Sequence, residues 1–311
     1  VAAAVTSVLD QRGPDVEVVV VDDGSTDDTA EVLAQWSHHP RVRVCHHPVN
    51  RGVSAAINTG MAHTTGTSLT LMGADDVLAP GYLADLVAGM GDDVDIVVGG
   101  HTAIHPGGGR TPVPQANPGR YPGALACRMM LENRIGTLAG GKLIRRDLAL
   151  RVPYPVGLRR YEDLAVSIAL PSHARFVRVV ESVGYLYTVR ETSATWGRHP
   201  TVAEFDTAIE HIHTQLAPQV FGRRVSRALK VLHLWGLLVV AHSPMMVPGF
   251  PAAARDLVKQ ATSAITWSDL AATLSTRPDL AAAGALARFA PRMYRRLYLR
   301  HVRRSYGLSA C

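Results

Sequence analysis

Cysteine is scarce in this chain. Cys45, Cys127 and Cys311 lie far apart and are odd in number. Neither a disulfide framework nor a zinc-ligand spacing can be built from them, so a reducing compartment is expected. Aromatics make up only 6% of the chain, which bears on packing more than on function. Long apolar runs are also missing. The longest, LWGLLVVA at 234–241, is well short of the ~18–20 residues a bilayer span needs. No secretory leader is visible. No zinc, helix-turn-helix or RNA-binding motif occurs, so nucleic acid is not an expected partner. There is no internal repeat. Charged residues at 19% beside hydrophobic ones at 47% exclude a disordered chain. A length of 311 residues supports one large or two modest domains.

Charge is unevenly spread. Residues 201–311 hold 14 Lys+Arg against 6 Asp+Glu, whereas the first 200 hold 18 against 20. Two regions with different roles are implied, 1–200 and 201–311. In the first, strand and helix patterns alternate to about residue 105, the mark of a doubly wound, mostly parallel α/β sheet. The stretch HPGGGRTPVPQANPGRYPG, 105–123, is dense in glycine and proline and reads as a long surface loop. Beyond 200 helical patterns dominate.

Acids recur where apolar runs end. In VVVVDDGSTDDTAEVL, 18–33, four valines suit a strand buried on both faces. Gly24 and Ser25 break the run, and Asp27 and Asp28 suit the first turn of a helix. Asp22 and Asp23 then stand at the carboxyl end of a strand, where open α/β sheets bind ligands. A solvated strand-to-helix turn is the alternative. Asp75 and Asp76 follow an apolar run in LMGADDVLAP, and Glu162 and Asp163 open a helix in RRYEDLAVSIAL. Each pair alone suits helix capping. Brought together they would repel, and a divalent cation is the physical remedy. Hard oxygen ligands favour Mg²⁺ or Mn²⁺. The clustered histidines His38, His39, His46 and His47 lack a metal-ligand arrangement.

In this order the motifs resemble family 2 glycosyltransferases, inverting nucleotide-sugar-dependent enzymes of the GT-A fold. EVVVVDDGSTDDT is similar to that family's first signature, NRGVSAAINTGM to its Asn-x-Gly-x-Ser helix opening, GADDVLAPGYL to its Asp-x-Asp region, and YEDLAVSIAL to its Glu-Asp motif. GGKLIRRDLAL and GYLYTVRETSAT match weaker segments, and the likeness covers residues 1–197. It implies that Asp23, supported by Asp22, binds the nucleotide base, usually uracil, with Asn50 and Arg51 close to the nucleotide-sugar. It implies Asp75, with Asp76, as ligand of a Mn²⁺ or Mg²⁺ ion at the diphosphate. Asp163 becomes the base that deprotonates the acceptor hydroxyl. Arg190, Ser193 and Thr195 become phosphate-binding or loop-ordering residues, and His199 a further candidate for the diphosphate.

The chain also departs from the pattern. Gly73 stands where the first acid of Asp-x-Asp is common, and Ile57 where an arginine is common before Asn58. The family's opening strand and Pro-x-Tyr-Asn-like turn are missing ahead of VAAAVTSVLDQ, so a fragment of a longer product is expected. The terminal PRMYRRLYLRHVRRSY places Met293, Leu297, Tyr298 and Val302 on one helix face among arginines. That suits an anionic membrane surface or a polyanionic acceptor. The expected function is transfer from a UDP-sugar to a cell-envelope glycan or wall polymer, in the cytoplasm or at the inner face of the membrane. A nucleotide- or glycan-binding module without turnover and a sugar-phosphate nucleotidyltransferase are the alternatives.

Overall fold

The computed structural model describes residues 1–115, 117–189 and 199–306, with side chains to residue 302. The chain forms two compact units. The first comprises Val1–Met130, Arg134–Arg190 and Thr214–Ala217. Its elements open with α1 (Ala2–Leu9), β1 (Val18–Asp22), α2 (Thr29–Ala34), β2 (Val42–His46) and α3 (Val53–His63). There follow β3 (Ser68–Leu69), β4 (Val77–Leu78), α4 (Tyr82–Gly89), β5 (Val94–Val98) and β6 (His101–Ile104). Then come β7 (Arg110–Val113), β8 (Gly119–Pro122), α5 (Gly123–Leu131), β9 (Lys142–Arg145) and α6 (Arg146–Arg151). The unit ends with α7 (Glu162–His173), β10 (Phe176–Val179) and β11 (Tyr185–Thr188).

The α/β class is as expected, but the pairing is mixed. β1–β2, β5–β10 and β6–β11 are parallel, while β3–β9, β5–β9, β8–β10, β4–β11 and β6–β7 are antiparallel. β5 lies between β9 and β10 under α4, and all five of its residues are buried. β1 was expected to be buried on both faces. Among the described residues it pairs with β2 alone, and its four valines are only half-buried. The segment 105–123 also departs from expectation. It contains β7 and β8, because backbone donors beside β6 and β10 are satisfied by adding a strand.

The second unit comprises Leu131–Asn133, Glu191–His213 and Pro218–Cys311. It contains most of α8 (Val202–Gln215), then α9 (Arg223–Met245), α10 (Ala252–Ala264), α11 (Trp267–Leu274), α12 (Pro278–Phe289) and α13 (Pro291–Tyr306). Among the described residues α9 alone is long and apolar enough to cross a bilayer. Yet most of its apolar stretch is buried, and α10, α11, α12 and α13 all pack against the helix, as for the core of a bundle.

Candidate active site

The register of β1 and β2 sets Asp22 opposite His46, so an acid dyad and a histidine dyad end neighbouring strands. Asp22 is buried. Its carboxylate accepts from the Ser25 N–H at 2.9 Å and from His46 Nδ1 at 3.1 Å. The hydrogen bond to Ser25 outweighs burial and holds the carboxyl below its ordinary range. Asp23 accepts from His47 Nδ1 at 2.6 Å and from the backbone N–H groups of Arg51 and Gly52 at 3.0 and 2.7 Å. Burial pushes its pKa up, but these three donors pull it lower on balance. The other ring nitrogen of His47 bonds Thr59 Oγ1 at 3.0 Å, fixing the ring to α3. Asp23 therefore shapes the turn that presents Asn50 and Arg51, both exposed, ahead of α3. Gly24 permits the fit. Its φ is +71°, and a Cβ there would lie 2.7 Å from the Asn50 nitrogen.

The second acid pair divides its work. Asp76 is buried, accepting from the Tyr185 hydroxyl at 2.5 Å and from the Thr188 N–H at 2.9 Å. Tyr185 in turn accepts from the Gly73 N–H at 3.2 Å, and Thr188 Oγ1 donates to the Asp75 carbonyl at 2.6 Å. The end of β11 thus clamps residues 73–76 and leaves the Asp75 side chain exposed. Gly73 has no room for an acid in this arrangement. A Cβ there would stand 2.7 Å from Asp76 Oδ2 and 3.0 Å from Asp75 Oδ1.

Asp163 lies in the first turn of α7, entered through Tyr161 in the left-handed region at φ 67°. Burial and the neighbouring Glu162 raise its pKa to about 6, against the opposing pull of Lys142 and the Ala139 N–H. Glu162 Oε2 is itself buried without a hydrogen-bond partner among the described residues. Asn58 of α3 makes a two-way bond with the Tyr154 backbone at 2.8 and 2.9 Å, and Tyr154 feels the charges of Asp163 and Glu162. The structure thus connects the Asp23 turn, through α3, to the surroundings of Asp163. The pKa of Tyr187 is raised by burial and then by the charges of Asp76, Asp75 and Asp163, so these acids gather about β11.

Sequence reasoning missed Lys142, His47 and Tyr185. A lysine within GGKLIRR and a tyrosine within GYLYTVR look like ordinary strand residues. For His47 a signal existed: two dyads, 22–23 and 46–47, at the ends of consecutive strands. His199 bonds Ser243 at 2.7 Å, both residues lying in the second unit. Arg190, Ser193 and Thr195 lie outside the described residues.

The sequence pattern described as glycosyl transferase family 2 matches residues 1–160, half of the chain. The chain belongs to glycosyl transferase family 2. The match includes the first two acid pairs of this family 2 member and stops two residues short of Glu162. EpsH of Bacillus subtilis, named as a glycosyltransferase, is 24% identical over 194 residues, 60% of this chain and 56% of EpsH. The succinoglycan biosynthesis protein ExoU of Rhizobium meliloti is 32% identical over 215 residues, 65% of this chain and 61% of ExoU. This chain therefore spans little more than half the length of these two relatives. Residues 1–349 of S. aureus TarS, crystallised with UDP-GlcNAc, share the fold. The TM-score is 0.70 at 18% identity, over 98% of this chain and 86% of that one.

Proposed function

We propose that the first unit is the catalytic domain of an inverting transferase, which passes a sugar from a UDP-sugar to a hydroxyl of a cell-envelope glycan or wall polymer. The observation that carries this reading is the gathering of Asp75 and Asp163 about β11. One is an exposed carboxylate, the other a half-buried carboxylate whose pKa is raised to about 6. A carboxylate of that strength is ionised at neutral pH and still basic enough to take a proton from an attacking hydroxyl. Attack by that oxygen on the anomeric carbon, with departure of the diphosphate from the opposite face, inverts the centre in one step. The UDP-GlcNAc held by TarS supports the donor class, and the role of ExoU in succinoglycan biosynthesis supports an envelope polysaccharide.

The remaining assignments rest on the family resemblance. Asp22 and Asp23 build the nucleotide-base wall, with Asn50 and Arg51 on the turn that Asp23 holds, and Arg190, outside the described residues, is assigned to the nucleotide-sugar on the resemblance alone. Among the described residues no group of three His, Cys, Asp or Glu can hold a metal. A Mg²⁺ or Mn²⁺ ion brought with the donor's diphosphate would find one protein carboxylate to hold it, Asp75, since Asp76 already serves Tyr185 and Thr188. Once bound, the cation stabilises the charge on the departing diphosphate. The basic second unit suits the anionic inner face of a membrane.

Calorimetric titration with UDP, GDP, CDP and dTDP, with and without Mn²⁺, tests the donor assignment. UDP is expected to bind in a Mn²⁺-dependent way that Asp75→Asn abolishes. In Asp163→Asn binding is expected to survive while turnover disappears. Turnover by Asp163→Asn at the wild-type rate would refute the assignment of the base.

A further inference from the structure

A buried ammonium group is costly unless its surroundings compensate it. Lys142 is only 3% exposed at the start of β9. Its Nζ donates to the carbonyl oxygen of Leu138. That oxygen belongs to the same peptide group as the Ala139 N–H, which donates to the Asp163 carboxylate. One peptide plane therefore stands between the two charges, oxygen toward the cation and hydrogen toward the anion. Each bond polarises the other in this orientation. The loop that carries the plane is tightly held. Ser167 Oγ donates to the Thr137 carbonyl at 2.8 Å, Gly141 has φ +79°, and a Cβ on Gly140 would fall 2.2 Å from the Tyr185 ring.

We propose that Lys142 is a positioning residue for Asp163, holding that carboxylate ionised and oriented through the Leu138–Ala139 peptide. The inference rests on Asp163 being the base. The groups that face the pair are Glu162 on α7, Tyr154 beyond α6, Tyr185 and Tyr187 on β11, and His101 on β6, which faces Lys142. Burial and Glu162 push the Asp163 pKa up, whereas Lys142 and the Ala139 N–H pull it down. Burial lowers the Lys142 pKa to about 8, against the pull of Asp163, so the lysine stays mostly protonated at neutral pH. Removing its charge leaves the Ala139 N–H alone against burial and Glu162, so the Asp163 pKa must rise.

The test is a ¹³C NMR titration of aspartate-labelled full-length chain. It compares the wild type with Lys142→Met and with Lys142→Gln, which keeps a donor for Leu138 without the charge. Asp163→Asn identifies the resonance. Both lysine variants are expected to move the midpoint up by about one pH unit or more. The acidic limb of turnover should follow, with activity about tenfold below wild type near pH 5 and converging with it toward pH 9. An unmoved midpoint in both variants, or a loss of equal size at every pH, would show that Lys142 is structural only and overturn the proposal. Turnover by Asp163→Asn would instead remove the base itself, and with it anything for Lys142 to position.

Discussion

Burial lifts the Asp163 carboxyl to about 6, and the same burial works against stability. A carboxyl whose folded pKa exceeds its unfolded value penalises the fold where it is ionised. The penalty is complete above about pH 6 and gone below about pH 4. Asp163→Asn is therefore expected to stabilise the chain at pH 8 by up to about 3 kcal/mol, at 1.36 kcal/mol per pKa unit, and to do little at pH 4. Urea melts at the two pH values check this, and equal melts would mean an ordinary, solvated carboxyl. Turnover should be lost in the same variant. Asp75 and Asp76 invite an opposite pair of outcomes. Asp76→Ala leaves the Tyr185 hydroxyl and Thr188 N–H without their acceptor and should cost about 2–4 kcal/mol. Asp75→Asn should leave the melt unchanged while removing the cation dependence of UDP binding. Adjacent acids look alike in a sequence. What separates them is the end of β11, more than a hundred residues away, and no local pattern carries that distance.

At the level of elements, α7 was legible from the acids that open it in RRYEDLAVSIAL, and the helical patterns beyond residue 200 announced the helices of the second unit. Strand partners were not, since pairing depends on contacts remote in sequence. The glycine- and proline-rich stretch 105–123 resembled a loop because its strands are exposed and carry no apolar alternation. The loops after β1 and β2 illustrate how one residue joins two elements. Gly24 holds φ +71°, and its missing Cβ is where the Val49–Asn50 backbone passes. Gly24→Ala must strain that φ and also push the turn carrying Asn50 and Arg51 away. A loss of about 1–3 kcal/mol is expected, together with weaker UDP binding. Gly52→Ala is the control. Its φ is also positive, at +89°, but nothing lies within 4 Å of the added carbon, so it bears the strain without the collision. If the two variants melted and bound UDP alike, the collision at Gly24 would have no consequence.

Across the whole molecule the charge asymmetry was plain from composition, but the face of α13 that it serves was not. The sequence set Met293, Leu297, Tyr298 and Val302 on one stripe. In the structure that stripe divides. Val302 is buried, and Tyr298 is half-buried and stacked on His242 with ring centroids 3.9 Å apart. Met293 and Leu297 remain 51% and 48% exposed, beside the exposed arginines Arg292, Arg296 and Arg300. Trp267 and Phe289, also exposed, are in ring contact at 5.1 Å. Apolar side chains flanked by arginines are what an anionic interface binds, with each arginine worth about 1 kcal/mol near such a surface. Sedimentation with phosphatidylglycerol vesicles should therefore capture the chain at low salt, and phosphatidylcholine vesicles should not. Reversing all three arginines to glutamate should weaken capture by about a hundredfold or more, while Met293→Ser with Leu297→Ser should reduce it at every salt concentration. Equal capture by neutral vesicles would remove charge as the cause. Binding to a soluble polyphosphate but not to vesicles would make the arginines a grip on a polyanionic acceptor and not on a membrane.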